Sequence, residues 1–245
     1  MILKKVKISA VSYANTYPFL YGIDKKLDSN AYELSLDVPS ECARKLQHNE
    51  VDLGLIPVAM IPKIENAEII SDYCIGADGA VKTVLLMSKI PLEEIKTVYL
   101  DTDSRSSAQL LKILAREFWK VDWDYKELPK GFATNKEIES ILLIGDKTQK
   151  SLPYTYIYDL AKAWKEFTGK PFVFAAWVAN KKLDDNFIND FNKVISFGLE
   201  NISESIKEYN ISHNYDLEEY LTKYISYNFN EDKKIALKQY LSFIK

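Results

Sequence analysis

The chain has little of what metal, redox and histidine chemistry require. Its 245 residues hold two cysteines and two histidines. Cys42 and Cys74 stand in no metal-binding or redox spacing, so they read as free thiols of a reducing compartment rather than as a disulfide framework. His48 lies at the polar end of an expected helix, beside Gln47 and Asn49. His213 falls in the turn-like Asn210-Ile211-Ser212-His213-Asn214. Both read as surface residues, and with two unpaired cysteines they make no zinc set. No Walker loop, GxGxxG, GxSxG or HExxH pattern is present, which disfavours nucleotide cofactors and serine-type hydrolysis. No window approaches the ~18 apolar residues of a membrane span. Lys4, Lys5 and Lys7 have no apolar segment behind them of the kind a secretion signal needs, so a cytoplasmic location is expected. A net charge of −3 gives no reason to expect nucleic acid or an anionic membrane as partner.

What is present is an ordinary globular composition, long enough for two small domains or one large one. Sixteen tyrosines and eleven phenylalanines imply an aromatic core, with some tyrosine left for a pocket. Strands and helices alternate. Val6–Val11 reads as a strand, and Glu33–Val38 alternates with period two. Pro39-Ser40 opens a helix to about His48. Asp52–Pro57 reads as a short buried strand, Ile69–Ile75 as an extended piece interrupted at Ser71-Asp72, and Val81–Ser88 as β-prone. After Lys89-Ile90-Pro91 a second α/β unit begins: strand Thr97–Leu100, a helix from about Ser107 to Phe118, strand Ile141–Ile144 and helix Tyr158–Thr168. Ser106 followed by Gln109 fits a capping box for the first of these helices. Phe172–Val178 leads back as a strand, and the remainder reads as helical. One long apolar stripe runs from Phe187 to Ile206, with shorter helices near Leu217–Ile225 and Glu231–Phe243. The expected architecture is two α/β lobes. Residues 1–90 with 173–245 form one lobe, residues 91–172 form an inserted second, and two chain crossings make a hinge beside a cleft.

Five segments are placed to carry chemistry. Ser12-Tyr13-Ala14-Asn15-Thr16 follows the first strand, at the carboxyl edge where open α/β sheets bind ligands. It offers hydroxyls and an amide but no strong base, so it suits orientation and polarisation more than titration. In Asp78-Gly79-Ala80-Val81-Lys82-Thr83, Asp78 reads as a turn residue, and Thr83 either reaches the cleft or satisfies backbone. Asp101–Ser107 joins a strand to a helix through a hydroxyl-rich turn. Ser104 or Ser106 caps that helix, and Ser104, Ser106 and Ser107 with free N–H groups can also cradle a carboxylate. Gly145-Asp146 ends a buried strand; Asp146 is the best-placed carboxylate for a base and equally fits a cap or a hinge. Backbone groups of Ile56, Pro57 and Val58 face the cleft at another strand end.

Together these segments resemble a known family. The resemblance rests on Ser12-Tyr13-Ala14-Asn15-Thr16-Tyr17-Pro18-Phe19, Asp78–Lys89, Asp101–Ser107, Leu143-Ile144-Gly145-Asp146 and Trp164–Trp177, in that order over about residues 6–180. The chain is similar to the chorismate dehydratase family, which opens the futalosine route to menaquinone. The resemblance implies a type II periplasmic-binding-protein-like α/β fold with C-terminal helices and an interlobe cleft, used in the cytoplasm as an enzyme. It implies conversion of chorismate to 3-[(1-carboxyvinyl)oxy]benzoate and water, with no cofactor and no metal. The family's functional asparagine and hydroxyl residue map onto Asn15 and Thr83. The family pattern commonly has serine at the second, so Thr83 departs from it, keeping the hydroxyl and adding a methyl. Two rivals stand beside this reading. A sister enzyme of the same route would act on a futalosine derivative, but would be expected to use a histidine near Gly145-Asp146, where none lies. A non-catalytic cytoplasmic protein of the same fold would bind a small carboxylate without turnover.

Overall fold

The computed structural model describes residues 5–101, 103, 105–129, 131, 138–149, 152–209 and 215–244. In chain order it opens with β1 (Val6–Val11), α1 (Tyr17–Lys26), β2 (Tyr32–Asp37), α2 (Pro39–Gln47), β3 (Leu53–Pro57) and β4 (Glu68–Ala77). There follow β5 (Val84–Ser88), β6 (Thr97–Leu100), α3 (Arg105–Ile113), β7 (Asp124–Glu127), β8 (Ser140–Ile144), β9 (Tyr156–Asp159) and α4 (Leu160–Thr168). The chain closes with β10 (Phe172–Ala179), α5 (Asp185–Glu200), α6 (Ile202–Tyr209), the short turn α7 (Leu217–Glu219), β11 (Ser226–Asn228) and α8 (Glu231–Phe243).

The strands form two sheets. One has the order β11-β4-β10-β3-β1-β2, the other β7-β6-β8-β5-β9. In the first, β1 runs parallel to β2 and β3, while β10 runs antiparallel to β3 and β4. β3 and β10 are buried along their whole length, as continuous apolar runs with no polar alternation require of central strands. In the second sheet β5 lies antiparallel between β8 and β9. Its two faces separate cleanly: Val84 and Leu86 join the main core, whereas Leu85 and Met87 join a small cluster with Ile138, Ile141 and Leu143.

Several boundaries differ from expectation, each for a local reason. Val84–Ser88, placed before the division expected at residue 91, pairs with β8 and β9 and so belongs to the second sheet. The first crossing between sheets therefore falls at residues 78–83. β4 runs unbroken through Ser71-Asp72, because Asn192 of α5 accepts from the Ser71 hydroxyl (2.8 Å) and the Asp72 N–H (2.9 Å). Tyr158 lies in β9, and α4 starts only after Asp159, whose carboxylate accepts from the Ala161 and Lys162 N–H groups. The long stripe from Phe187 is two helices, divided at Asn201. β7 and β11 were not expected.

α1 and α5 touch backbone to backbone. A Cβ on Gly22 would stand 2.1 Å from the Val194 carbonyl oxygen, and one on Gly198 would stand 1.8 Å from that of Pro18. Among the described residues no helix is long and apolar enough to cross a membrane, and no cluster of His, Cys, Asp and Glu could hold a metal ion.

Candidate active site

Strand ends from both sheets converge on an open cavity, about 530 Å³ of empty space with the solvent at its mouth included. The first sheet contributes Val11, Tyr13 and Asn15 after β1, Pro57 at the end of β3, Ile75 of β4, and Phe174 and Ala175 of β10. The crossing contributes Val81 and Thr83, and the second sheet Val84, Ile144 and Gly145. Ser107 enters from the first turn of α3. The wall is mostly apolar, with an amide and hydroxyls at a few points, the usual design of a small-molecule site.

Asn15 is held from two sides. Its carbonyl oxygen accepts from the Tyr227 hydroxyl at 3.1 Å, and its Oδ1 accepts from the buried Thr16 hydroxyl at 3.3 Å. Thr83 is 2% exposed. Its carbonyl accepts from the Gly145 N–H at 2.8 Å, which ties the crossing to the end of β8. Its hydroxyl lies 2.8 Å from that of Tyr220. Tyr220 is itself 4% exposed, and the Asn15 side chain lies beside the same phenol. Burial pushes the Tyr220 pKa up, so the phenol stays neutral at any ordinary pH.

Gly145 has a reason to be glycine. Its φ is +58°, and a Cβ would stand 3.3 Å from the Tyr13 ring. The Tyr13 hydroxyl faces the Asp103 carboxylate at 3.4 Å, and Lys147 bridges Asp103 (2.6 Å) and the buried Asp101 (2.9 Å). Burial, then the Asp103 charge, raises the Tyr13 pKa. Burial opposes the Lys147 charge, but its hydrogen bonds to Asp103 and Asp101 prevail and raise its pKa. This ion cluster flanks the cavity without entering its wall.

The crossing that carries Thr83 is clamped by one carboxylate. Asp159 Oδ2 accepts from the Val81 N–H (2.9 Å) and the Lys82 N–H (2.7 Å). Its Oδ1 accepts from the Ala161 N–H (3.0 Å) and the Lys162 N–H (3.1 Å). Lys82 takes the left-handed conformation, φ +67°, in making this contact. Lys165 pairs with Asp78 at 2.6 Å and fastens the crossing again. An asparagine has only one acceptor oxygen, so Asp159→Asn turns an NH2 toward two donors. It is expected to lower stability by about 1–3 kcal/mol in urea denaturation; a change under about 0.5 kcal/mol would show that the clamp carries no weight. Burial raises the Asp159 pKa against its four backbone donors. An acid raised in the folded state contributes stability below its unfolded pKa and loses it as pH rises through its folded pKa. Asp159→Asn should remove that slope.

The expected site residues are thus divided. Tyr13, Asn15, Pro57, Thr83, Ser107 and Gly145 meet at one cavity. Others do not reach its wall. Ser12 is exposed, its N–H bonded to the Asp37 carbonyl. Ile56 and Val58 are fully buried, with Ile56 paired to Ala176 in the sheet. Ser106 is no cap: α3 has already begun at Arg105, and the buried Ser106 hydroxyl accepts from the Ala59 N–H at 3.2 Å. Asp146 is exposed and accepts from the Tyr215 hydroxyl at 3.1 Å. Ser104 and His213 lie outside the described residues, and His48 is exposed on α2's end against the Arg44 carbonyl. The tyrosines of the C-terminal segment are what a sequence reading passes over. Tyr215, Tyr220 and Tyr227 reach Asp146, Thr83 and Asn15. Their crowding between residues 209 and 227 was the available signal.

A family described as "Menaquinone biosynthesis" matches residues 6–245. The chain belongs to this menaquinone-biosynthesis family. It is 28% identical over 189 residues to the chorismate dehydratase of Thermus thermophilus, a match covering 69% of this chain and 68% of that protein. Among solved structures, a protein from Archaeoglobus fulgidus superposes with a TM-score of 0.76 at 17% identity, covering 98% of this chain and 96% of that one. A Candida albicans protein described as having the generic periplasmic binding protein fold gives 0.65 at 12% identity, covering 98% and 90%. The periplasmic aliphatic sulphonate binding protein of Escherichia coli gives 0.60 at 12%, covering 98% and 91%. At these identities the likeness is one of fold. This member of the menaquinone-biosynthesis family has a periplasmic-binding-protein-like α/β fold.

Proposed function

We propose that this member of the menaquinone-biosynthesis family is a chorismate dehydratase. In this reading it converts chorismate to 3-[(1-carboxyvinyl)oxy]benzoate and water at the start of the futalosine route. The two sheets are its two lobes, and the cavity between them is the active site. One observation carries the proposal. The cavity wall presents Asn15, Thr83 and Ser107 on an apolar ground, with no histidine or carboxylate among the described residues that line it.

That wall suits a reaction whose base the substrate brings. The ring proton beside the enolpyruvyl ether is vinylogous to the ring carboxylate, so its removal gives a delocalised dienolate. Loss of the neighbouring hydroxyl then makes the ring aromatic. One C–H and one C–O bond break, one O–H bond forms, and water leaves. The enolpyruvyl carboxylate of the substrate takes that proton and passes it to the departing hydroxide, which leaves as water. The protein's part is to hold this geometry and to stabilise charge on the departing oxygen. Asn15 and Thr83 serve the hydroxyl and the side-chain carboxylate. Ser107, with the N–H groups at the start of α3, takes the other carboxylate.

The test is to incubate the purified, metal-free protein with chorismate and to follow products by chromatography and mass. A species lighter by one water, with the spectrum of a meta-substituted benzoate, is the expected result. Chorismate bound but unchanged would make the protein a sensor. Chorismate ignored beside consumption of a futalosine derivative would make it the sister enzyme.

A further inference from the structure

Thr83 has a partner that points away from the cavity. Its hydroxyl meets the Tyr220 phenol at 2.8 Å, and either oxygen can be the donor across that contact. The direction is set further back. Asn15 lies beside the phenol, and since its Oδ1 already accepts from the Thr16 hydroxyl, its NH2 is the group that can offer the phenol oxygen a proton. The phenol has one proton. With its oxygen accepting from Asn15, that proton goes to Thr83 Oγ1. The Thr83 proton is then left for whatever occupies the cavity.

We propose that Tyr220 is a positioning residue that fixes the Thr83 hydroxyl as a hydrogen-bond donor into the cavity, through the relay Asn15 to Tyr220 to Thr83. The inference rests on the dehydratase reading, in which an oxygen leaves carrying negative charge and needs a donor. Each bond in such a chain strengthens the next in a low-dielectric site. The phenol is built to keep its place. Tyr220 opens a π-helical turn, Tyr220–Tyr224, a local geometry common at functional sites. The Tyr215 ring packs edge-on against it at 5.5 Å, and Tyr215 is itself fixed by its bond to Asp146.

The experiment is a double-mutant cycle on chorismate turnover. Y220F is expected to lower kcat tenfold to a hundredfold while KM moves less than threefold, because substrate contacts survive and only the donor's orientation is lost. In a T83A background the same substitution should change kcat less than twofold, since its effect runs through Thr83. Y220F with wild-type kcat, or an effect that multiplies undiminished in T83A, overturns the proposal. A second measurement needs no substrate and leaves the tyrosine in place. With tyrosine labelled at 13Cζ, one phenol resonance should move in both N15A and T83A. If none moves in both, the relay is wrong, even where Y220F fails to fold. A wild-type protein that leaves chorismate unchanged defeats the dehydratase reading alone, and the resonance test then decides the relay.

Discussion

On the dehydratase reading, Asn15→Ala is expected to lower the turnover of chorismate by about 10²–10³-fold, the usual loss when one donor to a developing oxyanion is removed. The protein should stay folded, because the main anchor of this segment is backbone: the Asn15 carbonyl accepts from Tyr227 whatever the side chain. The alanine removes the amide that lines the cavity and lies beside the Tyr220 phenol. Steady-state kinetics with a thermal melt on the same preparation separates the two effects. A folded variant within about fivefold of wild type would remove Asn15 from the chemistry.

Gly198→Ala abolishes folding or costs about 4 kcal/mol, near the top of what single substitutions do. The added methyl would lie 1.8 Å from the Pro18 carbonyl oxygen, and the Gly22 N stands 3.0 Å away on the same side. No rotamer change relieves a clash with backbone, so α1 must move off α5. α1 follows directly on the Asn15 segment, so its displacement is felt at the site. Gly79→Ala is the contrast: nothing lies within 4 Å, and only its φ of +113° is strained. Urea denaturation of the two variants should place Gly198→Ala well below Gly79→Ala; similar midpoints would mean the helices can part without cost.

The sequence made the central strands and the polar strand ends readable. β1, β3, β8 and β10 are apolar runs bounded by polar or turn residues, and burial makes such runs local signals. The Asn15 segment stands out as polar residues following a strand, whereas Thr83 sits inside a β-prone run that leaves its hydroxyl open to cleft or backbone, and only the family resemblance singles it out. What was not readable depends on contacts between distant residues. Ser106 looks like a cap because a cap is a local pattern, but its hydroxyl is taken by Ala59, 47 residues earlier. β11 is three residues long and exists because it lies against β4. Lys233 stands in α8 among charged residues. It is nonetheless 1% exposed, with its ammonium on the Ser226 and Asn228 carbonyls of β11. Tyr220 and Tyr227 meet their partners across 137 and 212 residues, separations that leave no periodicity to detect.

The lateness of those tyrosines has a consequence for synthesis. A ribosome delivers the central strands of both sheets well before it delivers the tyrosines that brace Asn15 and Thr83. When Ala179 has emerged, β1, β3, β4, β5, β8 and β10 can all pair, yet Asn15 lacks Tyr227 and Thr83 lacks Tyr220. A nascent or truncated chain ending before Tyr215 therefore holds every described residue of the cavity wall but not the phenols that brace two of them.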